Sequence, residues 1–185
     1  MLNRNRLISN KIVDGFRNHQ IRKFLNVPME ALFPAGSSQE HSERRLLKYS
    51  PQEIYEVVAN VKEYKSFVPW CKESRVIKSD NNGMVAELDV GFDMFSEKYK
   101  SVIKLEPFQH ISIISSDTTV LEHLNSEWTF NSLKNDNKRC FVDFKVKFKF
   151  KSSVYDSVSE LFMTQVVKQM VKAFEDKCAQ KYGSR

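Results

Sequence analysis

Apolar and polar residues alternate with a period of two through the middle of this chain, and recur at helical spacing nearer its ends. Met84, Ala86, Leu88, Val90 and Phe92 share one side of a predicted strand, with Glu87, Asp89 and Asp93 opposite. Tyr99, Ser101, Ile103 and Leu105 oppose Lys98, Lys100 and Lys104 in the next. Pro107-Phe108-Gln109 turns the chain into a strand over 111–115, and Leu124, Ser126, Trp128 and Phe130 mark another. The strongest alternation sets Cys140, Val142, Phe144, Val146, Phe148 and Phe150 against Asp143, Lys145, Lys147, Lys149 and Lys151. A strand over 71–79 precedes these, and Asp80-Asn81-Asn82-Gly83 is a hairpin turn signal. A first strand is expected over 40–49.

Helical spacing appears in two places. Ser50-Pro51-Gln52-Glu53 combines a cap, a residue with preset φ and a capping-box carboxylate, and Ile54, Val57, Val58 and Val61 give one apolar face. A short helix over 62–67 follows, and Pro69 ends it. From Ser152 to Gly183 the chain reads as one long helix of roughly 43 Å at 1.5 Å per residue, with Ser153 and Asp156 as its capping box. Val154, Val158, Phe162, Val166, Met170, Phe174 and Cys178 recur every four residues, so the ridge drifts by about 40° per step. Its second half (Val167, Met170, Val171, Phe174) is expected to be a lid on the sheet. The first half (Val154, Val158, Leu161, Phe162) is placed at a cavity mouth, where Asp156 and Glu160 would repel anionic lipid.

This order predicts an α+β fold in which a curved antiparallel sheet with one apolar face wraps a long C-terminal helix. The aromatic inner face suits either a packed core or a pocket for an apolar ligand. Tyr99, Ser101 and Ser126 are the polar groups on that face that would orient one. The lysines of 145–151 are expected to be solvated or to protect an edge, the competing role being contact with phosphate.

Composition narrows the class. A chain of 185 residues with 41% hydrophobic content and 14 Phe suits one domain with a substantial core. No apolar run approaches the ~20 residues that span a bilayer. Cys71, Cys140 and Cys178 lack metal or disulfide spacing and read as thiols in a reducing compartment. No nucleophile elbow, phosphate loop, dinucleotide fingerprint or metal-ligand spacing occurs, so no catalytic residue, metal or cofactor is expected. The formal charge of +6 is concentrated early: residues 1–39 carry six basic and two acidic residues, which leaves 23 and 21 elsewhere. Arg4, Arg6, Lys11, Arg17, Arg22 and Lys23 accompany Leu7, Ile8, Ile12, Val13 and Phe16 at helical spacing, the composition of a mitochondrial transit peptide. The predicted boundaries are 1–39 for transit peptide and linker, and 40–183 for the folded domain.

Particular residues carry a family resemblance. Tyr49-Ser50-Pro51-Gln52-Glu53-Ile54-Tyr55, Val58-Ala59-Asn60-Val61 and Tyr64-Lys65-Ser66-Phe67-Val68-Pro69-Trp70-Cys71 resemble the mitochondrial coenzyme Q-binding proteins, members of the START/polyketide-cyclase-like, helix-grip superfamily. Further similar stretches are 87–92, 99–101, 128–130 and 171–175. The resemblance implies a non-enzymatic protein that holds ubiquinone in a hydrophobic cavity, as carrier or chaperone for respiratory electron transport. It also implies a peripheral place on the matrix side of the mitochondrial inner membrane, near respiratory or coenzyme Q biosynthesis complexes, with no nucleic acid partner. Similar bacterial proteins associate with ribosomes, which is the alternative. Alternation and aromatic content select the candidate ligand contacts: Phe67, Pro69, Trp70, Phe92, Tyr99, Ile103, Trp128, Phe130, Phe144, Phe148, Val167, Met170 and Phe174.

Overall fold

The computed structural model describes residues 36–92, 95–116, 118–155, 163 and 167–185. Seven antiparallel strands form one curved, unclosed sheet: β1 Ser38–Leu47, β2 Cys71–Asp80, β3 Gly83–Phe92, β4 Phe95–Glu106, β5 His110–Ser116, β6 Leu121–Leu133 and β7 Asp136–Phe150. Their spatial order is β1-β7-β6-β5-β4-β3-β2, so every neighbour except β1 is joined as a meander. Between β1 and β2 lie helix α1 Pro51–Ala59, a 3-10 turn Val61–Glu63 and the short helix α2 Tyr64–Phe67. A 3-10 turn Ser153–Tyr155 follows β7, and helix α3 Lys168–Tyr182 ends the chain. Gly36–Arg185 form one compact unit.

Alternation became register. Trp128 pairs with Phe144, Ser126 with Val146 and Leu124 with Phe148, so β6 and β7 set their large side chains side by side on one face. Cys140, Val142, Phe144, Val146, Phe148 and Phe150 are all buried, and the residues between them are not. The two-residue β2–β3 turn is held by Asp80, whose Oδ1 accepts from the Asn82 and Gly83 amides at 2.8 and 3.1 Å. A side chain at Gly83 would collide with the Ile103 carbonyl, which is why that strand opens on glycine.

The predicted helix start at Ser50 forms in full. The Glu53 amide donates to Ser50 Oγ at 3.2 Å, and the Ser50 amide donates to Glu53 Oε2 at 2.8 Å. Arg185 reaches the same carboxylate at 2.8 Å, and the Tyr182 hydroxyl donates to Glu56 at 2.7 Å. The end of α3 is thereby tied to α1, and the Tyr49 hydroxyl donates to the Gly183 carbonyl at 3.0 Å.

Three expectations shift. β1 begins at Ser38 and not at Glu40, inside the stretch read as linker, because its ladder with β7 runs from Ser38↔Lys149 to Leu47↔Cys140. The buried stripe of α3 is Val167, Val171, Phe174 and Cys178, spaced four, three and four. That spacing follows the 3.6-residue turn and keeps one face on the sheet, whereas the every-four ridge winds off it and leaves Met170 only partly buried. Ser153 lies in a 3-10 turn with Val154 exposed, and the described α-helix starts at Lys168. Asp156, Val158, Glu160, Leu161, Phe162 and Val166 lie outside the described residues, as do residues 1–35 with the proposed transit segment.

Replacing Ser50 with Ala is expected to lower stability by about 1 kcal/mol, read as a reduced urea midpoint with an unchanged slope. Acid sensitivity also follows. Tyr182, then Gln52 and Lys181, hold the Glu56 carboxyl below its ordinary range, and Arg44 does so for Asp143. A depressed folded value contributes stability above the unfolded value of about 4, and that contribution is lost as pH falls below it. Urea midpoints should hold near neutrality and drop below about pH 4, less steeply in a Tyr182→Phe, Arg44→Met double variant.

Candidate functional site

The inner face of the sheet does not close completely on α3. A cavity of about 120 Å³ remains between β2–β7, the corner at 68–71 and the helix. Its far end is sealed by aromatic rings. Trp128 lies 4.5 Å from Phe144 and 4.8 Å from Phe174, and Tyr64 and Phe67 stand edge-on to Phe174 at 5.3 and 5.1 Å. Toward the other end the walls are Val90, Leu121, Leu124, Phe148 and Phe150, with Trp70 at the corner.

That corner is strained. Trp70 has φ +61, a left-handed backbone that costs a bulky residue about 1–2 kcal/mol. It is held because the Gly91 amide donates to the Trp70 carbonyl at 2.9 Å and the Cys71 amide donates to the Val68 carbonyl at 3.2 Å. Strain of this kind persists where the surroundings over-determine the conformation, and here it turns the indole into the cavity wall.

Among the 22 described lining residues there is no Asp, Glu, Lys, Arg or His. The groups able to ionise are pushed away from doing so. Burial, then Glu73 and Asp89, lift the Cys71 thiol to about 11, and burial raises both Tyr64 and Tyr99 well above the ordinary tyrosine range. Polar atoms on the wall are mainly hydroxyls. Ser101 and Ser115 face each other across β4 and β5, with their Oγ atoms 3.1 Å apart, and Ser126 and Tyr99 also line the space. Such a surface can hold a neutral ligand and meet a few acceptor oxygens. Among the described lining residues no carboxylate, imidazole or amine stands ready for proton transfer.

Of the thirteen candidate contacts, Pro69, Trp70, Tyr99, Trp128, Phe144, Phe148, Val167, Met170 and Phe174 lie together on the cavity wall. Three lie elsewhere. Phe130 packs edge-on to Tyr55 of α1 at 5.8 Å, one inward position beyond the Trp128 seal. Phe67 backs Phe174 from outside the cavity, with Lys177 Nζ 5.5 Å from its ring centroid. Ile103 is buried in the core between Met84 and Ile113 and does not reach the space. Phe92 ends β3, and its side chain lies outside the described residues.

The wall also includes Tyr64, Val68, Cys71, Leu88, Val90, Ile113, Ser115, Leu121, Leu124, Val146 and Phe150, which were not among those candidates. Period-2 alternation already placed Leu88, Val90, Leu124, Val146 and Phe150 inward. Weighting aromatic rings above aliphatic ones passed them over. Buried Glu97 had no signal of its own. It accepts from the Thr119 and Val120 amides at 2.7 and 2.8 Å and so pins the segment before β6 beside Leu121.

On the outer face two of the four ladder lysines are paired with carboxylates. Lys145 meets Glu40 at 3.0 Å, Lys149 meets Glu122 at 2.7 Å, and Arg44 grips Asp143 with two bonds of 2.6 and 2.7 Å. These are cross-strand pairs between neighbours in the sheet.

A family model described as polyketide cyclase / dehydrase and lipid transport matches residues 47–175. A mitochondrial coenzyme Q-binding protein of Xenopus laevis is 38% identical over 166 residues, which is 89% of this chain and 67% of that protein. Its counterpart in Drosophila melanogaster is 34% identical over 144 residues, 77% of this chain and 60% of the relative. The chain belongs to the coenzyme Q-binding protein family, within the polyketide cyclase and lipid transport group. A ribosome association toxin of Rickettsia prowazekii is 28% identical over 71% of this chain and 90% of its own. The fold is that of the Zhui aromatase/cyclase from a Streptomyces species, with a TM-score of 0.65 at 14% identity, over 78% of this chain and 96% of that one.

Burial lifts Cys140 and Cys178 to about 12, in line with Cys71. Burial disfavours the thiolate, and all three thiols are expected to resist an aromatic disulfide reagent at pH 8 until urea unfolds the chain. A Cys71 thiol that reacts within seconds in the native protein would contradict this account of the cavity.

Proposed function

We propose that this protein binds coenzyme Q in the cavity between sheet and helix without transforming it, as carrier or chaperone for respiratory electron transport. The observation that carries the proposal is the chemistry of the wall: apolar, uncharged and relieved only by a few hydroxyls. A fatty acid or phospholipid headgroup would enter with an unpaired charge, at a cost of several kcal/mol. A polyisoprenoid quinone brings no charge, and each methylene it buries contributes about 0.8 kcal/mol. The cavity is smaller than a long isoprenoid tail, so the ring and nearest isoprene units sit inside and the rest of the tail extends beyond it.

The relatives from frog and fly, both mitochondrial coenzyme Q-binding proteins, support the ligand and the compartment. The Arg-rich amphipathic start of the chain supports import into mitochondria. Among the described residues no helix is long and apolar enough to cross a membrane. The proposed place is the matrix side of the inner membrane, in peripheral contact. Respiratory or coenzyme Q biosynthesis complexes are the expected recipients.

The Rickettsia relative raises ribosome association as a second reading. The paired lysines of β7 favour the quinone, since Glu40 and Glu122 already hold two of the cations that would meet phosphate. Mass spectrometry of lipid extracted from the purified protein is the test, with ubiquinone as the expected species. Preparations without quinone that bind ribosomal RNA in a salt-sensitive manner would refute the carrier role. Val146→Phe, which fills the space from β7, should reduce recovered quinone several-fold while the far-UV circular dichroism is unchanged.

A further inference from the structure

The hydroxyls of the cavity are placed in a pattern that packing does not require. β4, β5 and β6 each turn serine inward, and on the cavity wall these serines stand among largely apolar residues. Ser101 stands across from Ser115, Ser126 lies across from Ile113 in the next row, and Tyr99 is two residues before Ser101 on the same face. Inward positions on one strand are about 7 Å apart, so these groups line one continuous patch. Trp128, across from Ile111, closes the row beyond Ser126.

Their hydrogen bonds are incomplete. A serine hydroxyl carries one donor and two acceptor positions. In the Ser101–Ser115 contact one hydrogen is shared between the two oxygens, and the other hydroxyl keeps its own. Among the described residues, neither the Ser126 hydroxyl nor the Tyr99 phenol has a hydrogen-bond partner, although both face the cavity. Ser101 is fully buried and Tyr99 nearly so. Donors left open toward an apolar cavity point by their pattern to what would satisfy them.

We infer that Ser101, Ser115, Ser126 and Tyr99 form a headgroup subsite that donates to the carbonyl and ether oxygens of a neutral ring and sets its orientation, ring toward Trp128 and tail outward. This rests on the quinone-binding reading above and adds a position and a set of donors to it. The apolar walls hold tail and ring alike. The hydroxyls are what distinguish a ring with acceptor oxygens from a hydrocarbon of similar bulk. A carbonyl oxygen has two lone pairs, so one oxygen can accept from Ser126 and from the free hydrogen of the serine pair.

The test compares two ligands on the full chain, ubiquinone with a two-isoprene tail and squalene, which has isoprene units without a ring. Both tryptophans of the protein line the cavity, so quenching of their fluorescence reports quinone binding, and partition from detergent micelles reports both ligands. Ser101→Ala with Ser126→Ala should weaken the quinone about ten- to a hundredfold and leave squalene unchanged. Tyr99→Phe should weaken only the quinone, by a smaller factor. The carbonyl stretch of bound quinone should lie below its value in hexane in the native protein and move back up in the double variant. Equal quinone affinity and an unmoved carbonyl band in the variants would overturn the subsite, and so would equal loss of both ligands. A native protein that takes up squalene but no quinone would refute the quinone reading itself, a result distinguishable from either.

Discussion

A single phenylalanine on the last helix joins the parts that must meet for this fold to exist. Phe174 lies against Trp128 of β6, Tyr64 and Phe67 of α2, and it is fully buried among them. An antiparallel sheet with one apolar face has to cover that face, and here the cover comes from a helix at the opposite end of the chain from β1. The aromatic contact fixes how close the helix approaches. Rings of this size at 4.8–5.3 Å hold the backbones apart, and the gap beside them becomes the cavity. Where Val171 and Cys178 meet the sheet side, the same helix packs fully.

The far end of α3 is governed by different forces. Arg185, Tyr182 and Lys181 engage Glu53 and Glu56 of α1, and Lys177 meets Glu63 at 2.9 Å. These contacts are largely solvent-exposed, and each contributes little alone. Together they set the register of the helix end against α1, while apolar contact supplies the energy. The result is a lid anchored at its C-terminal end, with the opposite end of the described helix, at Val167 and Met170, left beside the cavity.

Much of this was legible before the structure. The inward set of every major strand followed from period-2 alternation, and the α1 start followed from Ser50-Pro51-Gln52-Glu53, because both signals are local. What stayed hidden depended on distance across the fold. Phe130 and Trp128 are two residues apart on one face of β6 and look equivalent in the sequence. One packs under Tyr55 and the other walls the cavity, since α1 covers only the end of the sheet. Phe67 and Phe174 meet from separate elements, and only one of them faces the space. On the last helix the every-four ridge marks Phe174 and Cys178, and Val167 and Val171, expected in the lid, complete a buried face that alternates fours with threes. A tertiary surface chose among several apolar positions that the helix offered.

The two faces of the sheet solve opposite electrostatic problems, and the division bears on how a ligand can be selected. Outside, charges are numerous: β7 sets Lys145 and Lys149 against carboxylates of β1 and β6, and its Asp143 against Arg44 of β1. On the cavity wall, ionisable groups are few and burial keeps them neutral, as with Cys71 and Tyr99. A wall without charge recognises by exclusion: anything ionised is rejected by the cost of desolvation, and apolar contact retains the rest. Exclusion alone would admit any hydrocarbon. The serine pair between β4 and β5, with Ser126 beside it, is what the inner face offers beyond exclusion, and selection among neutral lipids depends on it.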